Sequence, residues 1–218
     1  MNFNSDLRKK IGFLGLMGGD EFNKNCIEMD EWIIDELDLK NPLISILPTA
    51  STNQKPELAI SNAMNYFDAL EKYGSDKPDL RFEMELQEMA GFVEKSDFNT
   101  FKSVLESGGR VKALVCPNAS TYSRKVIDEL TDYLKKYFGA KGLAWMKCVD
   151  GKLDGGISKF FPESVQNDMI AQLGIENDCV LFMVGDNAKT VFSALGALRN
   201  ELAKRENLID ANKWAPLW

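Results

Sequence analysis

RVKALVC at residues 110–116 and RKVIDELTDYLKKYF at residues 124–138 are the two stretches that decide the fold. The first alternates in the way that is typical of a strand. The second places its apolar residues along one side at helical spacing, and Ser123 directly before it is a good N-cap. Residues 142–149 form a further apolar run, which predicts a second strand. Strand, helix and strand in this order favour an α/β domain.

The same alternation continues on both sides of this unit. The other predicted elements are helices at residues 56–73, 97–105, 163–173 and 187–205, and strands at residues 155–161 and 179–184. Further upstream, strands at residues 10–17 and 42–48 with an intervening helix give the order β-α-β-α. We therefore predict an α/β (α+β) fold, in which a small mixed sheet with packed helices is preceded by a β-α-β-α half-unit.

Composition excludes several classes of active site. The chain has 218 residues, a net charge of −7 and no histidine, so it contains no Ser-His-Asp triad and no histidine-bearing metal site. The four cysteines, Cys26, Cys116, Cys148 and Cys179, form no C-x-x-C motif, and we expect buried free thiols in a reducing compartment. Neither a signal peptide nor a membrane-spanning run is evident, and we expect a cytoplasmic protein.

Six stretches, in a fixed order, carry a resemblance to a known family. They are YGSDKPDLRF at 73–82, GGRVKA at 108–113, SRKVIDEL at 123–130, GAKGLAWMK at 139–147, KFF at 159–161 and ALGALRNEL at 194–202. Residues 64–218 resemble bacterial-type aspartyl-tRNA synthetases. In that family the corresponding segment is an insertion between the second and third motifs of the catalytic core. It is called the GAD domain, and a subunit of the glutamyl-tRNA amidotransferases also has it.

The resemblance divides the chain into four predicted segments. They are the β-α-β-α segment at 1–66, a connector at 67–82, a GAD-like domain at 83–212 and a truncated return to the synthetase core at 213–218. The family's catalytic core is expected before and after this segment, and neither half is recognisable here. Pro216 and the pair Gly155-Gly156 also depart from the family pattern. We therefore expect a chain that does not charge tRNA alone.

Residues 11–70 carry a second resemblance. GLMGGDEF at 15–22, followed by LPTAS at 47–51, is similar to the start of the cyanophycinase and dipeptidase E group, which are class I glutamine amidotransferase-like serine peptidases. That family needs a later Gly-x-Ser-x-Gly elbow. Neither this elbow nor a histidine occurs here, so an inactive relative of these hydrolases is the alternative interpretation. A synthetase fragment with no activity of its own is a third.

The candidate site is a set of basic residues that the synthetase resemblance implies to be near tRNA. These RNA-binding candidates are Arg110, Lys112, Arg124, Lys125, Lys141, Lys147 and Lys159. Solvated surface positions are the alternative explanation for them. Trp145, Phe160 and Phe161 are interpreted as core residues, with base-stacking platforms as the alternative. Catalytic and metal-ligating residues are predicted to be none, and Asp76 and Asp79 are interpreted as solvated carboxylates.

The expected function follows from the resemblance. It implies a non-catalytic accessory domain associated with tRNA aminoacylation, with weak tRNA binding. The implied partners are tRNA and a synthetase catalytic core, with no membrane and no DNA. No cofactor is expected, since ATP and Mg²⁺ belong to the full-length enzyme that the chain resembles.

Overall fold

The computed structural model describes residues 56–212, with side chains at residue 61 and from residue 64 onward. Several predictions fall on residues outside this range. They are the first three elements of the β-α-β-α segment, the second resemblance up to residue 55, Cys26, Pro216 and the predicted return at 213–218. The chain divides into two units, Met1–Phe67 and Asp68–Trp218. In the first unit, the rings of Tyr66 and Phe67 pack edge to face, with their centroids 5.2 Å apart. The second unit contains the sheet.

Eleven labelled elements follow in chain order within the described residues. The helices are α1 (Pro56–Tyr73), α2 (Ala90–Val93), α3 (Asn99–Glu106), α4 (Arg124–Phe138), α5 (Glu163–Leu173) and α6 (Ala188–Arg205). The strands are β1 (Gln87–Glu88), β2 (Arg110–Cys116), β3 (Ala144–Val149), β4 (Lys152–Asp154) and β5 (Val180–Asp186). The predicted α/β fold class is confirmed.

The sheet has the strand order β1-β2-β5-β3-β4, and every pairing among these strands is antiparallel. The sequence predicted a mixed sheet, and this detail is corrected. Strands β2 and β3 do run in the same direction, as their connection through α4 predicts. However, β5 lies between them and runs opposite to both, so no parallel neighbours arise. This arrangement is a split β-α-β unit.

The predicted strand at residues 155–161 is wrong. A short 3-10 helix at Ser158–Phe160 occupies this stretch, and the strand lies directly before it, as β4, which pairs with the end of β3. Gly155 and Gly156 explain the difference, because their φ angles of +75° and +51° interrupt an extended backbone directly after β4.

Helices cover both faces of the sheet. On one face, Leu114 and Phe182 pack in a core with Leu130 of α4 and with Leu195 and Leu198 of α6. The other face buries a second set of apolar residues against α2, α3 and α5. Its members include Val111, Leu181, Met183, Phe101 and Met169. Residues 180–184 are fully buried, which explains why β5 is a continuous apolar run and not an alternating one.

The first turn after α1 packs closely against α6. A Cβ on Gly196 would lie 2.6 Å from the carbonyl oxygen of Gly74, and Gly74 itself has a φ of +69°. Both positions therefore require glycine, one for the close approach and one for the backbone conformation. This contact places the YGSDKPDLRF stretch over the middle of α6.

Candidate functional site

Of the first two predicted cations, Arg110 is partly buried and Lys112 is buried. Lys112 is only 3% exposed. Its Nζ donates to Glu71 Oε2 at 2.7 Å and to the Glu71 carbonyl oxygen at 2.9 Å. Arg110 donates to the carboxylates of Glu71 and Glu88, and both cations lie over the ring of Phe192. Two carboxylates thus match two cations, and these contacts tie the end of α1 to β2.

The carboxyl of Glu71 is ionised within this cluster. Burial alone would raise its pKa, but hydrogen bonds from Arg110 and Lys112, with the charges of the same two residues, outweigh burial and lower the pKa below its ordinary value. Glu71 therefore stays charged and neutralises the cations beside it. Lys112 is paired with this carboxylate and is buried, so it lacks the exposure that a phosphate contact needs.

Lys147 fixes the loop that precedes α4. Its Nζ donates to the carbonyl oxygens of Ser120 and Tyr122, at 2.5 Å and 2.7 Å, and lies 5.9 Å from the ring centroid of Trp145. The loop ends at Ser123, which caps α4 by accepting a hydrogen bond from the Val126 N–H, as the sequence predicted. Lys147 is therefore a positioning residue for the start of α4.

Arg124, Lys125 and Lys141 are exposed on the α4 side of the sheet. The Arg124 side chain is 73% exposed, and its Nε lies 3.0 Å from Asp128 Oδ1. Lys125 is exposed beside it in the first turn. The Lys141 side chain is 78% exposed, with its Nζ 3.6 Å from Asp186. These three cations have the exposure that a polyanion contact needs.

The seven predicted residues do not form one patch. Arg124 and Lys125 begin α4, whereas Lys141 follows its last turn, and a helix of 15 residues spans about 22 Å. Lys159 is exposed in the 3-10 helix, 5.1 Å from the ring centroid of Phe160, which packs with the opposite face of the sheet. The structure thus separates two exposed groups at the two ends of α4 from one cation elsewhere.

A shallow groove of about 460 Å³ runs between α4 and the start of β3, and sequence reasoning missed it. Four charged side chains line it: Arg124, Asp128, Asp132 and Lys135. The apolar part of the lining comes from Ile127, Leu143 and Trp145. The signal was present, since positions 124, 128, 132 and 135 recur at the helical spacing of three and four residues.

Arg199 was also missed, and it organises the YGSDKPDLRF stretch. Its side chain is buried, and it donates to the carbonyl oxygens of Asp79, Phe82 and Met84 at 2.8–3.0 Å. Its guanidinium also lies 4.0 Å from the ring centroid of Phe82 and 4.8 Å from that of Tyr73. Leu195, Leu198 and Leu202 lie on the same side of α6 as Arg199. The helical spacing of these leucines was therefore a sequence signal that Arg199 faces the core.

The candidate carboxylates lie in ion pairs, and the thiols of the described residues are buried. Asp79 accepts from Arg81 at 2.7 Å, and this hydrogen bond lowers the pKa of Asp79. Within residues 56–212, no group of three or more Cys, Asp or Glu side chains is arranged to bind a metal ion. Cys116, Cys148 and Cys179 are buried free thiols, as predicted, and burial raises the pKa of Cys116 to about 12.

Across the described part of the chain, no helix combines the length and the apolar character that crossing a membrane requires.

Comparison with known proteins agrees with the motifs. Residues 101–195 match the family model of the GAD domain. The chain is 48% identical over 156 residues to "Aspartate--tRNA ligase" of Halalkalibacterium halodurans and 46% identical over 156 residues to "Aspartate--tRNA(Asp/Asn) ligase" of Desulfatibacillum aliphaticivorans. It is 47% identical over 164 residues to "Aspartate--tRNA ligase 2" of Streptococcus mutans.

These alignments cover 71–75% of this chain but only 26% of each ligase, so the chain spans about a quarter of the length of the curated relatives it matches. The resemblance to the inserted domain is confirmed.

Proposed function

We propose that the chain is a non-catalytic accessory module derived from an aspartate–tRNA ligase and that it contacts tRNA, because residues 101–195 match the family model of the GAD domain. The observation that supports this most directly is the 48% identity to a ligase over 156 residues, which is too high for a shared fold alone. The similarity extends over about a quarter of the ligase, so the ligase reaction itself is not carried over.

Arg124, Lys125 and Lys141 are the residues that we assign to the tRNA contact. They are exposed cations on one side of the sheet, two of them in the first turn of α4, where the helix dipole adds to the positive potential. Arg110 and Lys112 are excluded because their side chains are only 26% and 4% exposed and are held by Glu71 and Glu88. Lys147 acts indirectly, by fixing the loop before α4.

The contact is weak and sensitive to salt. The net charge of −7 opposes approach to a polyanion, and we assign only three exposed cations to the contact. We expect a dissociation constant in the non-specific range, about 10⁻⁴–10⁻⁶ M at physiological salt. Phosphate neutralisation by lysine and arginine requires no cofactor, so a chelator should leave tRNA binding unchanged. The proposed location is the cytoplasm, where tRNA is charged.

Fluorescence anisotropy with labelled tRNA at low salt tests this assignment. The triple variant Arg124→Glu, Lys125→Glu, Lys141→Glu should lose at least about tenfold in affinity. The matched control is Lys95→Glu, Lys102→Glu, Lys159→Glu, which changes the same net charge away from α4 and should lose much less. Equal losses would show only the effect of net charge, and no binding by the unaltered chain would leave an inactive synthetase fragment as the better interpretation.

We propose a synthetase catalytic core as the second partner, because the matched segment belongs to full-length ligases in the relatives. Co-purification of the chain with a separately expressed ligase core tests this partner. Retention that survives high salt would support it, and free elution of both proteins would contradict it.

A further inference from the structure

We propose that the groove between α4 and β3 binds a short unpaired run of RNA, with a base against Trp145 and phosphates at the two ends. This inference rests on the proposed tRNA contact and specifies which part of an RNA the domain takes. The groove's volume of about 460 Å³ lies within the range of small-ligand sites. The order of its positive and negative side chains along α4 matches the positions of phosphates and bases in a nucleotide strand.

Cations lie at the ends of the groove and carboxylates lie between them. Arg124 and Lys135 are eleven residues apart on α4, which places their backbone positions about 16 Å apart. Asp128 and Asp132 lie between them and would repel a phosphate there. Carboxylates do accept hydrogen bonds from the amino groups of bases. The lining therefore favours phosphates at both ends and base edges in the middle.

Arg124 retains donors for a ligand. Its Nε donates to Asp128 Oδ1 at 3.0 Å, and its two terminal nitrogens make no hydrogen bond within residues 56–212. The ion pair with Asp128 therefore orients the guanidinium without using the nitrogens that would bind a phosphate. The 16 Å separation also exceeds one nucleotide repeat of a stacked strand, about 3.4 Å, which favours a short strand over a free mononucleotide.

Trp145 supplies the aromatic surface. It is half-buried, and Gly155 packs so closely on its ring that a Cβ there would lie 2.7 Å from a ring carbon. The Lys147 ammonium also lies 5.9 Å from the ring centroid. The indole is thus fixed by its neighbours while it still lines the groove. A fixed aromatic side chain is the usual platform on which a base stacks.

Lys135 and Lys136 provide a matched pair of variants. Both are exposed lysines in the last turn of α4, but only Lys135 lines the groove, whereas Lys136 lies over the ring of Tyr137. With the full chain and a five-nucleotide unpaired RNA, Lys135→Ala should weaken binding at least about threefold more than Lys136→Ala. Neither residue belongs to the proposed tRNA contact of Arg124, Lys125 and Lys141.

Tryptophan fluorescence reports on the stacking itself. The chain has four tryptophans, and Trp145→Phe shows how much of any quenching comes from Trp145. We expect the RNA to quench the unaltered chain and to lose most of that effect in Trp145→Phe, with affinity lowered about fivefold or more. Thermal unfolding of Trp145→Phe checks that this variant still folds. If it does not fold, the comparison of Lys135→Ala with Lys136→Ala still tests the proposal.

Four results would overturn the proposal. The first is an equal loss of RNA affinity in Lys135→Ala and Lys136→Ala, and the second is fluorescence quenching that persists in Trp145→Phe. The third is quenching by a mixed-charge peptide but not by RNA. The fourth is equal affinity for adenosine monophosphate and for the oligonucleotide. If tRNA still binds through Arg124, Lys125 and Lys141 while the groove variants have no effect, the groove assignment fails and the proposed function stands. If tRNA does not bind the unaltered chain at all, both fail.

Discussion

The Nζ of Lys112 lies 2.7 Å from Oε2 of Glu71, although the two residues belong to different elements 41 positions apart in the chain. Lys112 is 3% exposed, while the side chain of Glu71 is 44% exposed. The ion pair is thus partly open to solvent on the carboxylate side and closed on the ammonium side. Its role is to join α1 to β2, and this role has measurable consequences.

Removing the ammonium should lower stability without changing RNA affinity. In Lys112→Met the apolar stem remains, but the Glu71 carbonyl oxygen loses its donor and the carboxylate keeps only Arg110. We expect the free energy of unfolding to fall by about 1–3 kcal/mol, measured by urea denaturation. Lys141→Met is the control, and because its side chain is 78% exposed it should change stability by less than about 0.5 kcal/mol. A loss of tRNA affinity in Lys112→Met at unchanged stability would contradict the structural role.

The stabilisation by Glu71 should depend on pH with a defined sign. Its pKa is lower in the folded chain than its ordinary value of about 4.3, so its contribution is fully present above that value and is lost as the pH falls through the folded pKa. Urea denaturation of the unaltered chain and of Glu71→Gln at a series of pH values measures the difference. We expect a constant difference above about pH 5 and a decline below it. A difference that grows as the pH falls would reverse the sign and contradict the assignment.

These predictions depend on contacts that the local sequence pattern does not contain. Periodicity identified α4 with its bounds and its cap, because helical spacing and an N-cap are properties of adjacent residues. Lys112 and Lys147 were predicted as surface cations because charged residues in an alternating strand usually face water. Their partners are Glu71 and the carbonyl oxygens of Ser120 and Tyr122, which only the tertiary fold brings near.

The strand order could not be predicted from the sequence for the same reason. The succession β2, α4, β3 predicts two strands that run in the same direction, and this is correct. Whether they pair depends on β5, which lies more than thirty residues downstream and inserts between them. Strand β4 was missed because it has three residues, too few for a period of two to be recognised.

Close packing of α6 on the turn after α1 gives a third prediction. A Cβ at position 196 would lie 2.6 Å from the Gly74 carbonyl oxygen, and a backbone atom cannot move away cheaply. Gly196→Ala should therefore lower the free energy of unfolding by about 1–3 kcal/mol. Gly91→Ala is the matched control, since Gly91 is helical with no atom within 4 Å of its Cβ position, and alanine there should be neutral or slightly stabilising. Equal effects of the two substitutions would contradict the packing argument.

The purified 218-residue chain should not form aspartyl-adenylate. Its similarity to the ligases covers 26% of their length, and the matched family model is that of the GAD domain. Aspartyl-adenylate formation by synthetases of this class (class II) requires arginines and carboxylates that bind ATP and aspartate on a separate catalytic sheet. Aspartate-dependent pyrophosphate exchange measures this step, with a full-length aspartate–tRNA ligase as the positive control. Exchange above background by this chain would contradict the proposed accessory role.

Removing acidic residues from the N-terminal part should strengthen RNA binding. Residues 1–70 contain 11 Asp and Glu against 6 Lys and Arg, so they add net negative charge to a protein whose proposed tRNA contact depends on three exposed cations. A chain without residues 1–63 should bind labelled tRNA more tightly at low salt, and the gain should shrink at high salt because screening weakens long-range repulsion.

The control for that deletion keeps the chain intact. Asp20→Asn, Glu21→Gln, Glu28→Gln and Asp30→Asn together remove four negative charges without removing any backbone. If repulsion is the cause, this variant should reproduce most of the gain and the same salt dependence. A gain in the deletion that is absent from the neutralised chain and insensitive to salt would mean that residues 1–63 obstruct the RNA surface instead of repelling RNA through their charge.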